Sequence, residues 1–145
     1  MPCFVRVSVR LREPGPVAAG PGTAELSRRW KAGDRVVLEL DMPVRVVEPD
    51  PRVDAVRGCV AVARGPLVYC VESADLPPGT ELEELCWDPG REPVTVPRPD
   101  IGEGVVGITV PVVGRRPGLS AGAIPYFAWA NRGAGAMRVW IPRLP

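Results

Sequence analysis

Cys59-Val60-Ala61-Val62-Ala63-Arg64-Gly65-Pro66-Leu67-Val68-Tyr69-Cys70-Val71-Glu72 decides the fold. Two short apolar runs, Cys59 to Ala63 and Leu67 to Val71, flank Arg64-Gly65-Pro66. Runs of this length bounded by Gly and Pro read as strands joined by a tight turn. Gly65 is free to take a positive φ, and Pro66 pre-sets the start of the second strand. This predicts an antiparallel hairpin with a structural turn at its tip.

The same grammar recurs on both sides. Phe4 to Leu11 alternates apolar and polar residues as a half-buried strand does. Pro14 to Gly22 is a loop rich in Pro and Gly. Ala24 to Trp30 and Arg35 to Leu40 form an expected hairpin across Ala32-Gly33-Asp34. Asp41-Met42-Pro43 ends that strand, and Val44 to Val47 resumes extended structure. Glu48-Pro49-Asp50-Pro51 is the sharpest break, because prolines flanking an acid disfavour both helix and central strand.

Beyond that break, Pro77-Pro78-Gly79 is a turn, and Glu81 to Cys86 is the only stretch suited to a helix. Val94 to Val96 and Val105 to Val113 are strands, with Gly107 marking a bulge or a close approach. After the Gly114 to Gly122 loop, Ile124 to Ala130 and Met137 to Ile141 read as a closing hairpin across Asn131-Arg132-Gly133. The fold class is therefore all-β: an antiparallel β-sandwich of about ten short strands with little or no helix. Two units are expected, residues 1–49 and 50–145.

Composition narrows the chemistry. Gly and Pro supply 35 of the 145 residues, yet they punctuate apolar runs rather than forming a tract, and 46% of residues are hydrophobic. That supports a folded core over disorder. A net charge of +1 leaves no electrostatic footprint for nucleic acid. No apolar run reaches the roughly 18 residues that span a membrane. Met1 to Arg10 lacks the apolar core of a secretory signal, so a cytoplasmic chain is expected.

There is no histidine. Cys3, Cys59, Cys70 and Cys86 show no C-x-x-C spacing, so they read as buried free thiols rather than metal ligands. The carboxylates Asp34, Glu39, Asp41 and Glu72 are the candidates for acid–base work, which in glycosidases needs a flanking pair. Asp34 sits at a turn and Glu39 alternates with Leu38 and Leu40, as solvent-facing positions do. No catalytic residue and no metal ligand is assigned.

Among the aromatics, core packing is the default. On a strand, Phe127 and Trp129 share one face, and Tyr126 and Ala128 share the other. Tyr126 and Trp87 are the better candidates for a sugar or domain contact, followed by Trp129. Arg64 is a candidate anchor against a neighbouring domain.

Three ordered stretches carry a family resemblance: Arg29-Trp30-Lys31-Ala32-Gly33-Asp34 running to Pro43, Val62-Ala63-Arg64-Gly65-Pro66-Leu67-Val68-Tyr69-Cys70-Val71-Glu72, and Ala123-Ile124-Pro125-Tyr126-Phe127-Ala128-Trp129-Ala130-Asn131-Arg132-Gly133 followed by Met137 to Pro142. Together they resemble the region after the catalytic domain in glycoside hydrolase family 127, the β-L-arabinofuranosidase type. The resemblance implies that a full-length relative carries an N-terminal helical barrel, with a zinc ion held by a glutamate and cysteines and one cysteine as nucleophile. It also implies that residues 1–49 are the end of a middle β-sandwich domain and residues 50–145 a C-terminal one. The lead before Trp30 departs from the family, where it is longer, so the first unit is expected to be incomplete.

The implied role is a non-catalytic accessory region, without cofactor of its own, packing against a catalytic barrel or a second subunit. The alternative is a free-standing module that binds arabinose-containing glycans. Exposure of two or more of Trp87, Trp129, Trp140 and Tyr126 on one surface would favour the latter.

Overall fold

A computed structural model describes residues 5–8, 29–34, 37–114 and 118–144. The chain divides into two compact units, Met1–Pro43 and Val44–Pro145. In the first, β1 (Val5–Ser8) pairs antiparallel with β2 (Val37–Leu40), Val5 opposite Leu40. The expected partner of β2 was Ala24 to Trp30. Residues 24–28 lie outside the described residues, and Arg29 and Trp30 are irregular. The turn between them does form: the Lys31 N–H donates to Asp34 Oδ2 at 2.9 Å, and the Asp34 N–H donates to the Lys31 carbonyl at 3.1 Å.

The boundary lies between Pro43 and Val44, ahead of the expected break at 49/50. The reason is local. β3 (Val44–Val47) pairs along β4 (Cys59–Arg64), Val44 opposite Arg64 through Val47 opposite Ala61, and so belongs to the second unit. Pro49-Asp50-Pro51 is a capped turn inside that unit. Asp50 Oδ1 accepts the Arg52 backbone N–H at 2.9 Å, and the Asp50 carbonyl accepts the Val53 N–H at 2.9 Å.

The second unit is built on the hairpin of β4 and β5 (Leu67–Glu72), with Arg64 opposite Leu67. Gly65 has φ +54 and precedes Pro66, the two-residue loop that a right-twisted hairpin favours. β6 (Cys86–Trp87) and β7 (Val94–Pro97) pair with opposite halves of β8 (Val106–Val113). β8 forms a second hairpin with β9 (Ser120–Pro125), Ile108 opposite Ala123. β10 (Met137–Arg138) adds to β5, and β11 (Ile141–Pro142) adds to β4.

The result is one nine-stranded antiparallel sheet in the order β11-β4-β5-β9-β8-β6, with β3, β7 and β10 as side pairings. It curls until its ends meet. Trp87 bridges Arg143, and the Leu144 N–H donates to the Trp87 carbonyl at 3.1 Å. The eleven described strands, with only three-residue 3-10 turns between them, bear out the all-β expectation. Glu81 to Cys86 is such a turn, Leu82–Glu84, running into β6 rather than a helix.

Strands from both ends of the curl fill one core: Val60, Val62, Tyr69, Val71, Leu85, Trp87, Ile108, Val110, Val112 and Ile141 are among its members. Alternate β8 residues Ile108, Val110 and Val112 are fully buried, as period two requires. A smaller cluster of Cys70, Ile124 and Ala128, with Ile101, Met137 and Val139 packed on it, covers the other face of β5 and β9. These two central strands are therefore buried on both faces.

Gly107 is a close approach, as its sequence position implied. A Cβ there would meet Arg98 Cγ at 2.7 Å and the Ala123 carbonyl oxygen at 3.1 Å. Gly107→Ala is expected to cost about 1–3 kcal/mol by overpacking. Chemical denaturation checks this, with Gly104→Ala as a comparison whose cost comes from positive φ rather than from crowding.

Candidate functional site: an exposed aromatic loop held by a buried glutamate

The expected closing hairpin does not form. β9 ends at Pro125, and Tyr126–Ala128 is a 3-10 turn, closed by the Trp129 N–H donating to the Tyr126 carbonyl at 3.1 Å. Met137–Arg138 pairs with β5 instead of β9. A turn of three residues per revolution aims the side chains quite differently from a strand. Ala128 alone points into the core cluster, while Tyr126, Phe127 and Trp129 are 46%, 64% and 40% exposed. The Tyr126 and Trp129 ring centroids lie 6.0 Å apart with planes inclined at 32°. Tyr126 and Trp129, named above as contact candidates, are thus at the surface, and Phe127 joins them there instead of the core.

The loop is tethered at both ends. Glu72, only 5% exposed at the end of β5, accepts the Ala130 N–H at Oε1 (2.8 Å) and an Arg132 guanidinium N–H at Oε2. Ala130 has φ +63, a left-handed conformation that a non-glycine residue keeps only when its surroundings enforce it. Arg132 also grips Asp75 with both terminal nitrogens, at 2.8 and 2.5 Å. Bidentate charge-assisted pairs of this kind are among the stronger polar contacts.

Arg98 donates to Asp75 at 3.2 Å and to Asp100 at 2.8 Å, extending the network. The Ser73 N–H donates to the Ala136 carbonyl at 3.0 Å. A Cβ on Gly135 would come within 2.8 Å of Ser73 Oγ, so the returning chain lies flat on this segment.

The electrostatics follow from these pairs. The Arg132 pKa is raised above its ordinary value, chiefly by its hydrogen bonds to Asp75, and Arg98 is raised mainly by its hydrogen bond to Asp100. The Arg98 guanidinium holds the Asp100 carboxyl below the usual carboxylate value. The charges are spent on one another, so they fix the loop rather than act as an acid–base pair. Glu72, first read only as one of several carboxylates, is the residue that organises the site.

The other candidates sit elsewhere. Trp87 is 4% exposed and belongs to the core, which corrects its assignment as a contact residue. It also lines a cleft of about 260 Å³ with Val46, Glu48, Arg91 and Arg143. Arg64 is half-buried at the end of β4. It stands beside Tyr69, whose hydroxyl donates to the Val106 carbonyl at 2.8 Å. Burial raises the Tyr69 pKa and the Arg64 cation lowers it. Trp140 is half-buried.

Cys3 lies outside the described residues; Cys59 and Cys86 are half-buried and Cys70 is buried. Among the described residues, no three Cys, Asp or Glu side chains converge as metal ligands would. Burial first, and the Glu72 and Asp75 charges second, push the Cys70 thiol up to about 11. That is the opposite of an activated nucleophile, which needs a lowered pKa.

Folding thus raises the Cys70 pKa above its ordinary value near 9. The associated stability is present below that ordinary value and is lost as pH rises through the folded one. At pH 8, iodoacetamide should label Cys70 at least about 100-fold more slowly in the folded chain than in urea, from thiolate fraction alone. Equal rates would refute the burial described here.

The second unit is a curled all-β domain that carries an exposed aromatic turn. Comparison with known proteins places it further. Residues 44–142 match the profile of the glycoside hydrolase family 127 C-terminal domain, and the chain belongs to that family. It is 35% identical over 130 residues to a non-reducing end β-L-arabinofuranosidase of Bifidobacterium longum subsp. longum, covering 75% of this chain and 20% of the relative.

A solved GH127 β-arabinofuranosidase superposes on 99% of the chain with a TM-score of 0.74 and 30% identity, and 24% of that protein is covered. A GH127 β-L-arabinofuranosidase from Geobacillus stearothermophilus T6 matches 81% of the chain at TM-score 0.61 and 37% identity, with 21% of its own length covered. The chain therefore spans about a fifth to a quarter of these relatives. The matched segment starts at Val44, the same residue at which the second compact unit starts.

Proposed function

We propose that this chain is a non-catalytic accessory region of a β-L-arabinofuranosidase-like hydrolase, packing against that enzyme's catalytic barrel or against a second subunit. The complete enzyme would hydrolyse β-L-arabinofuranosides. The observation carrying this reading is that residues 44–142 match a C-terminal domain and account for only a small share of each relative's length. The burial of Cys70 and the mutual pairing of Glu72, Asp75, Arg98 and Arg132 support a structural rather than a chemical role.

The test is complementation. The purified chain is added to the Geobacillus relative shortened by its C-terminal quarter, and the half-life of arabinofuranosidase activity at elevated temperature is measured. A prolonged half-life is expected; no change at saturating chain argues against the role.

One observation favours a second reading, a carbohydrate-binding module: Tyr126 and Trp129 are both exposed on one loop. Tryptophan fluorescence titrated with arabino-oligosaccharides separates the two. Saturable quenching that Trp129→Ala abolishes supports the module, and an unchanged spectrum supports the accessory role.

A further inference from the structure

We propose that the Tyr126–Trp129 turn is the knob by which this domain seats in an apolar pocket on the N-terminal remainder of a family 127 hydrolase. The inference rests on the accessory reading above and names the contact surface.

Three features of the loop select a protein partner over a sugar. Phe127 is the most exposed of the rings and has no polar handle, whereas a sugar site needs hydrogen-bonding groups beside its platform. Tyr126 and Trp129 are tilted to each other by 32°, so they form a wedge rather than one flat stacking surface. The nearest charged groups, Arg132, Glu72 and Asp75, are already paired with each other.

The loop is also prepared in advance. Three large side chains are held out on a turn fixed by a buried carboxylate, so little conformational entropy remains to be lost when a partner encloses them. Tyr and Trp at the centre of a desolvated patch, with Arg at its edge, make up the usual composition of an energetic hot spot. The partner's identity follows from lengths: relatives of 30–37% identity carry this domain as a fifth to a quarter of their polypeptide, so most of the chain that would touch it lies outside it.

The experiment measures binding of the 145-residue chain to the Geobacillus relative shortened by its C-terminal quarter, by sedimentation velocity and titration calorimetry. Three proteins are compared: wild type, the double variant Phe127→Ser/Trp129→Ser, and Val94→Ser, which alters an exposed strand residue away from the loop. Wild type and Val94→Ser should bind alike, and the double variant should bind at least about tenfold more weakly, as loss of hot-spot anchors does.

All three chains are checked for equal thermal unfolding, since the altered side chains are solvent-facing in the isolated domain. Equal binding by all three overturns the loop assignment while leaving the accessory role standing. Absence of binding by wild type overturns the accessory role itself. Saturable binding of arabino-oligosaccharides that the double variant loses would instead make the loop a sugar site and also overturn the proposal.

Discussion

Arg132→Met is expected to destabilise the second unit by about 3 kcal/mol and to lower its melting temperature by roughly 10–20 °C. The side chain holds Glu72 and Asp75 at once, and those carboxylates are almost enclosed. Removing the cation leaves a buried Glu72 carboxylate held from the loop by the Ala130 N–H. An uncompensated buried charge typically costs about 3–5 kcal/mol, and the partial exposure of Arg132 places this case at the low end.

The second substitution Glu72→Gln should restore part of the loss, because the neutral amide still accepts the Ala130 N–H but no longer demands a cation. Arg52→Ala provides the contrast. Its pair with Asp50 lies at the surface, so no measurable change in stability is expected. Thermal unfolding followed by circular dichroism measures all three. A shift below 2 °C for Arg132→Met would mean that the network does not hold the loop.

Trp87→Ala should be at least as damaging, at about 3–5 kcal/mol. The indole is enclosed by the core cluster, and its backbone forms the seam where the curled sheet closes, through β8, the bridge to Arg143 and the bond from Leu144. Deleting it opens a large cavity beside a two-residue strand that has little else to hold it. Trp87→Phe should recover part of the loss, since a phenyl ring refills much of the cavity left by alanine. Denaturation by urea measures these, and a cost under 1 kcal/mol for Trp87→Ala would place the indole at the surface after all.

The central hairpin was legible because its signals are local. Two apolar runs meet at Arg64-Gly65-Pro66, where only a turn with positive φ fits, and Gly107 announces its close approach by interrupting a β-branched strand. The aromatic turn is hard to see in the sequence because Tyr126-Phe127-Ala128-Trp129 follows directly on strand β9 and extends its run. The overlooked signal is size: Ala128, the one small residue among large ones, is the one that faces the core.

Glu72 and Arg132 stand 60 positions apart, and no local rule pairs them. The hint was an acid closing the Leu67-to-Glu72 run, on the same strand face as Cys70, where a carboxylate survives only with a partner. The boundary was drawn at Pro49-Asp50-Pro51 because prolines break strands. The Asp50 cap makes that break a turn between β3 and β4 instead.

An accessory rather than a catalytic role for this chain can be tested in one assay. The purified 145-residue chain is incubated with an aryl β-L-arabinofuranoside, with and without added zinc, and liberated arabinose is quantified. No release above a heat-denatured control is predicted. Arabinose release that scales with chain concentration and is lost in Cys70→Ala would contradict it.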